Sequence, residues 1–180
     1  HPEVTVHLTN RTRPFLFADT GFDAAIYFGD GDWSGTDAHF LMHEHLMPVC
    51  SPALLGGHPA SAERIAELPL LQQSTRPYAW RQWFAAQGLN VGRDMTGPRL
   101  ELFSMLAQAA RHEMGVALIP PFLIQRELAD GSLVVALDRP VPDHGRAYYL
   151  TVPERKVESA ALKAFRDWLL REARLYAIDG

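Results

Sequence analysis

Short apolar runs, separated by glycine, proline and acidic turns, recur along this chain, and both the strand and the helix period can be read in them. Val4, Val6 and Leu8 alternate with Thr5, His7 and Thr9, the pattern of a strand with one buried face. Residues 11–21 carry Phe15, Leu16 and Phe17 and close on Gly21, which fits a short helix. Residues 24–28 show no polar alternation, which predicts a strand covered on both faces, as in a parallel sheet. That run breaks into Gly29-Asp30-Gly31-Asp32-Trp33-Ser34-Gly35 and recovers as an extended apolar segment ending on Cys50-Ser51-Pro52. Ligands of α/β proteins sit beyond the carboxyl ends of strands, so residues 22–52 mark a candidate site.

Further along, Ser61 is placed to cap a short helix containing Ile65 and Leu68, stopped by Pro69. Leu70, Leu71 and Gln72 begin a strand. Trp80, Trp83, Phe84 and Gln87 follow at i, i+3, i+4 and i+7, with Gly88 as the stop, which predicts a helix with an aromatic core face. Leu102, Met105, Leu106, Ala109 and Ala110 form one face of a second helix ending at Gly115, and Val116 to Ile119 reads as a buried strand. Pro121 starts a helix that closes at Gly131. Strands are expected at 133–137 and 147–152, with a proline-containing loop over 138–144 and a turn at 56–59. A terminal amphipathic helix over 159–176 turns Leu162, Phe165, Leu169 and Ala173 inward. Alternating strands and helices predict an α/β fold with largely parallel sheets.

Composition narrows the class. The chain has 180 residues, 47% hydrophobic and 21% charged, with a net charge of −4, so it reads as a globular protein without a polyanion-binding face of its own. A single cysteine, Cys50, excludes an internal disulfide and fits a reducing compartment. No apolar run reaches the roughly 18 residues of a membrane span. His1 opens almost directly into a strand, with neither an initiator methionine nor a signal sequence, as expected of a piece of a longer intracellular protein.

Several candidate chemistries fail on spacing. The loop at Asp30 places oxygens and a glycine as a calcium loop does, but Leu41 stands where its acidic ligand is needed. His39 and His43 have helix-face metal spacing, yet the apolar neighbours and Pro48 and Pro52 favour extended chain and solvated histidines. Cys50 has no nucleophile elbow around it and reads as a structural thiol. There is no phosphate loop, no dinucleotide fingerprint and no paired catalytic carboxylate. No catalytic residue, metal site or cofactor is assigned, which favours a binding module over an enzyme.

FDAAIYFGDGDW, LMPVCSPALL, the Trp80/Trp83 helix, the Ala-rich helix running into MGVALIP, and YYLTVPER before the terminal helix occur here in one order. Together they resemble the effector-binding domain of LysR-type transcriptional regulators, in particular the branch of the glycine-cleavage activator and β-lactamase-gene regulators. The resemblance implies a fold like that of type 2 periplasmic binding proteins: two Rossmann-like subdomains joined by two crossing strands, near 46–51 and 147–153. Subdomain I would hold 1–48 and 150–180, and subdomain II 49–149. The family's first strand and helix of subdomain I, and its DNA-binding winged helix-turn-helix, would lie upstream of His1.

The resemblance also implies a small-molecule effector held in the cleft between subdomains. The positions carried over are Phe28 and Gly29, Cys50 and Ser51, Thr75, Phe103, Ile119 and Tyr148. Tyr27 stands where the branch commonly has arginine, and Phe103 near a position often small and polar, so the cleft is more apolar than one built for a simple amino acid. Homodimerisation, promoter contact only through the upstream domain, and a cytoplasmic setting follow from the same resemblance. A free-standing solute-binding protein of this fold and a small α/β enzyme are the alternatives.

Overall fold

The computed structural model describes residues 1–13, 15–58, 60–141, 145–154 and 157–179, of which Ile178 and Asp179 are described by their backbone alone. Pro14, Pro59, Pro142–His144 and Arg155–Lys156, parts of the expected 11–21 helix, 56–59 turn, 138–144 loop and YYLTVPER run, lie outside the described residues. In chain order the elements are β1 (Ala25–Gly29), β2 (Thr36–His43), β3 (Met47–Cys50), α1 (Pro52–Leu55), α2 (Ala62–Glu67), β4 (Leu70–Gln73) and α3 (Ala79–Ala86). They continue as β5 (Arg99–Leu100), α4 (Phe103–Arg111), β6 (Val116–Ile119), α5 (Gln125–Ala129), β7 (Val134–Val135), β8 (Ala147–Pro153) and α6 (Ala160–Asp179). Two compact units result: His1–Glu44 with Asp143–Gly180, and His45–Pro142.

Unit 1 is built on a three-stranded sheet ordered β1-β8-β2, antiparallel throughout. Thus β1 does not lie in a parallel sheet, and Ile26 at its centre is exposed rather than covered. Uniform apolarity records burial potential but not the direction of a neighbour. A register shift between Phe40 and Met42 in β2 turns Leu41 into a small core with Leu150 and Ala173 of α6. The helix expected over 11–21 shrinks to a single 3-10 turn at Phe17–Asp19. Nor do residues 4–8 form a strand: Val6 and Leu8 are exposed, and no described strand pairs with them. Alternation supplies one apolar face, whereas a strand also needs a hydrogen-bonding neighbour.

Unit 2 holds a five-stranded mixed sheet in the order β5-β4-β6-β3-β7. β4 runs parallel to β5 and β6, and β3 antiparallel to β6 and β7, so the largely parallel expectation is corrected here too. β3 belongs wholly to this sheet and β8 wholly to the sheet of unit 1. A division at 48/49 and 149/150 would cut both ladders; the chain instead changes unit after Glu44 and after Pro142.

On one side of the unit 2 sheet Trp80, Trp83 and Phe84 of α3 pack on each other at 5.0–5.6 Å between ring centroids. Both indoles are satisfied: Trp80 donates to the Leu71 carbonyl at 2.9 Å and Trp83 to that of Arg139. On the other side α4 buries Leu106, Ala107, Ala109 and Ala110. Ser61 caps α2 through the Arg64 amide, as its position predicts. The helix expected from Pro121 to Gly131 splits into a 3-10 turn and α5, because Ile124 takes φ −132° and sinks its side chain, 2% exposed, into the core.

Buried polar groups fasten the loop between α3 and β5. Gln72, 1% exposed, donates to the carbonyls of Asp94 and Thr96. Arg81 grips Asp94 through two bonds of 2.8 and 3.0 Å. This loop delivers the chain to β5 and the start of α4.

Candidate functional site

In unit 1 the carboxyl end of β1 forms a polar and aromatic rim. The Tyr27 ring folds over Gly29; a Cβ there would sit 1.9 Å from the phenol oxygen, so any larger residue would have to displace the ring. Gly31 follows at φ +85° beneath the Tyr149 ring. The Asp30 side chain accepts from the Asp32 amide at 3.1 Å, a local turn that serves the loop itself. Trp33 leaves the loop to pack with Tyr27, Phe15 and Phe17. Burial, and then the neighbouring Asp30 carboxylate, push the Tyr27 phenol above its ordinary value.

Phe28 and Tyr148 are cross-strand partners with ring centroids 5.3 Å apart. Tyr148 donates its hydroxyl proton to the carboxylate of Glu44, a residue only 9% exposed. The Arg146 guanidinium lies over the Phe28 ring, 4.7 Å from its centroid. One rim thus brings together Phe28, Gly29, Tyr148, Arg146 and Glu44.

In unit 2 the matching position is the carboxyl end of β4. The Ser74 amide donates to the Leu100 carbonyl at 2.9 Å, tying this turn to β5. Thr75 is exposed; its amide donates to the Gln73 side chain, and its hydroxyl accepts from Arg76 at 2.8 Å. The Arg76 guanidinium in turn lies 5.7 Å from the centroid of Phe103. Phe103 is the first residue of α4, where Leu102 at the cap offers no side-chain acceptor. Thr75, Arg76 and Phe103 therefore form a second rim with a cation and a helix start close by, groups that suit an anion.

The remaining candidates sit deeper. Ser51, 6% exposed, uses its hydroxyl to cap α1 through the Ala53 amide. Cys50 and Ile119 have no exposed surface and belong to the two apolar clusters of unit 2. Neither side chain can touch a ligand in this arrangement; both back the rim from inside. Burial pushes the Cys50 thiol up to about 11, so at neutral pH it is no nucleophile. His39 and His43 lie on β2, in extended chain, and no metal-holding cluster of side chains occurs among the described residues.

Three residues of these rims escaped the sequence reading. Arg76 adjoins Thr75, and Arg146 lies two positions before Tyr148, on the same side of an extended chain; both are readable signals. Glu44 is separated from Tyr148 by 104 residues, and nothing in the sequence links them.

Comparison with known proteins places this architecture. The model of the LysR substrate binding domain matches residues 1–174. The chain is 33% identical over 173 residues to the glycine cleavage system transcriptional activator of Escherichia coli K12, covering 95% of this chain and 55% of that protein. It is 32% identical over 178 residues to the transcriptional activator AmpR of Pseudomonas aeruginosa, covering 98% and 59%. It thus spans a little over half the length of these curated relatives, which are regulators rather than enzymes. The solved effector domain of P. aeruginosa AmpR superposes with a TM-score of 0.87 at 31% identity, over 99% of this chain and 85% of that one. The full-length virulence activator AphB of Vibrio cholerae, at 22% identity and a TM-score of 0.72 over 96% of this chain and 59% of that one, shares the fold. Matched along nearly its whole length by family model, relatives and structures alike, the chain belongs to the LysR substrate binding domain family.

Proposed function

We propose that this chain is the effector-sensing domain of a bacterial LysR-type transcription regulator. The observation that carries the reading is the family match over residues 1–174, joined to polar rims at the carboxyl ends of β1 and β4, where α/β folds take ligands. Each rim offers an effector its own contacts: Phe28, Gly29 and Tyr148 in unit 1, and Thr75 and Phe103, with Ser51 near them, in unit 2, where Cys50 and Ile119 lie in the core beneath.

Effector binding shifts a conformational equilibrium of a homodimer. A winged helix-turn-helix elsewhere in the longer protein reads that shift at promoter DNA, in the cytoplasm. A ligand moves such an equilibrium only by its differential affinity for the two states, so tight binding and switching are separate properties. No helix among the described residues is long and apolar enough to cross a membrane.

The test is retardation of a promoter fragment adjoining the gene by the longer protein carrying this domain. A discrete complex whose mobility or footprint changes with effector supports the reading. Absence of any complex contradicts it.

A further inference from the structure

Arg146 is exposed and stands immediately before β8, with its guanidinium held on the face of Phe28. Tyr148 packs against the same ring, so the cation lies in the rim where β1 ends. Stacking on an aromatic face fixes a guanidinium without consuming its N–H donors, which project from the edge of the plane. Among the described residues no carboxylate forms an ion pair with Arg146. The other cation of the rims, Arg76, is already bonded to Thr75.

The charges around Arg146 decide which anion fits. Glu44 holds the Tyr148 hydroxyl, and Asp30 and Asp32 lie within electrostatic reach of Tyr27, as does Arg146 itself. Carboxylates on the same rim repel a dianion more strongly than a monoanion. A planar guanidinium edge also matches the two coplanar oxygens of a carboxylate.

We propose that Arg146 anchors the effector through a carboxylate, so that the effector is a carboxylic acid and not a neutral or phosphorylated compound. This rests on the effector-sensing reading above and narrows its ligand class.

The test is titration of the isotope-labelled chain with propionate, propionamide or inorganic phosphate at constant ionic strength, following the amide resonances of Phe28, Gly29, Ala147 and Tyr148. Propionate should shift these signals saturably, with propionamide and phosphate weaker by about tenfold or more, the worth of a charge-assisted pair. Arg146→Gln, at an exposed position, should keep the native spectrum and weaken propionate by the same factor. Arg64→Gln, which removes an equal charge from α2, should leave it unchanged. Equal responses to propionate and propionamide, undiminished binding by Arg146→Gln, or no response to any of the three probes overturns the anchor. A ligand found by broad screening that stabilises native chain and Arg146→Gln alike would overturn the anchor while leaving the sensor reading intact.

Discussion

Replacing Gly97 with alanine strikes unit 2 where loop and strand touch. Gly97 has φ +113°, and a Cβ built there would lie 2.1 Å from the carbonyl oxygen of Leu70 in β4. Backbone, unlike the end of a side chain, cannot swing aside, so the loop must move. The flanking residues are the ones that Gln72 holds, through Nε2 to the Thr96 carbonyl at 2.8 Å and through its amide to the Pro98 carbonyl at 2.9 Å. The φ alone costs about 1–3 kcal/mol, and each of the two bonds contributes about 1 kcal/mol.

A loss of about 3–5 kcal/mol follows, a large part of the roughly 5–15 kcal/mol that stabilises a domain. Hydrogen exchange at the Leu71 and Ala117 amides, in the heart of the unit 2 sheet, reads the local value directly. Gly92→Ala is the control: Gly92 has open space at its Cβ position, and the change should stay within about 0.5 kcal/mol. A loss under about 1 kcal/mol for Gly97→Ala would refute the reasoning, because the loop would then yield cheaply. The loop leads to β5 and α4, so the signals of Thr75 and Phe103 should shift as well.

Other consequences are more local. Cys50 gives an alkaline signature: its pKa is raised from 9.0 to about 11 by burial, so the folded state holds the proton more tightly than the unfolded chain. That contribution is complete below pH 9 and is lost as pH rises through 11, amounting to about 3 kcal/mol. Denaturation across this window should show a steeper decline in the native chain than in Cys50→Ala, and equal declines would contradict it. Tyr148→Phe removes the bond to the Glu44 carboxylate and should cost about 1.5–3 kcal/mol, read by urea denaturation; Tyr149→Phe serves as the comparison. Trp83→Ala empties a fully buried site and should cost about 3–5 kcal/mol, seen as a lowered melting temperature.

How much was legible in the sequence depends on the range of the forces at each position. Ser61 with Ile65, the Trp80–Trp83–Phe84 spacing and the run from Val116 to Ile119 specify their elements through near neighbours, and the structure bears them out. Pairing direction is set by residues far along the chain, so 24–28 could not declare an antiparallel partner, nor 4–8 the want of one. Within the site, Phe28, Gly29 and Tyr148 came together, as did Thr75 and Phe103, because motifs place them at strand ends and a helix start. Cys50 and Ile119 share those motifs but point into the core, a fact fixed by register in the sheet. The Glu44–Tyr148 bond exists only once β2 and β8 have paired, and no local pattern announces it.

The central claim is that this domain binds a small molecule. The most direct measurement is thermal unfolding of the chain across a broad panel of metabolites, with carboxylic acids and neutral analogues side by side. A ligand at 100 times its dissociation constant adds about 2.7 kcal/mol, which raises the melting temperature of a domain this size by about 5–10 °C. Such a shift is expected for at least one compound, with chemical-shift changes confined to the rims at Phe28–Tyr148 and Thr75–Phe103. A panel without any stabilising compound, or a stabilising compound whose signals lie elsewhere, would contradict it.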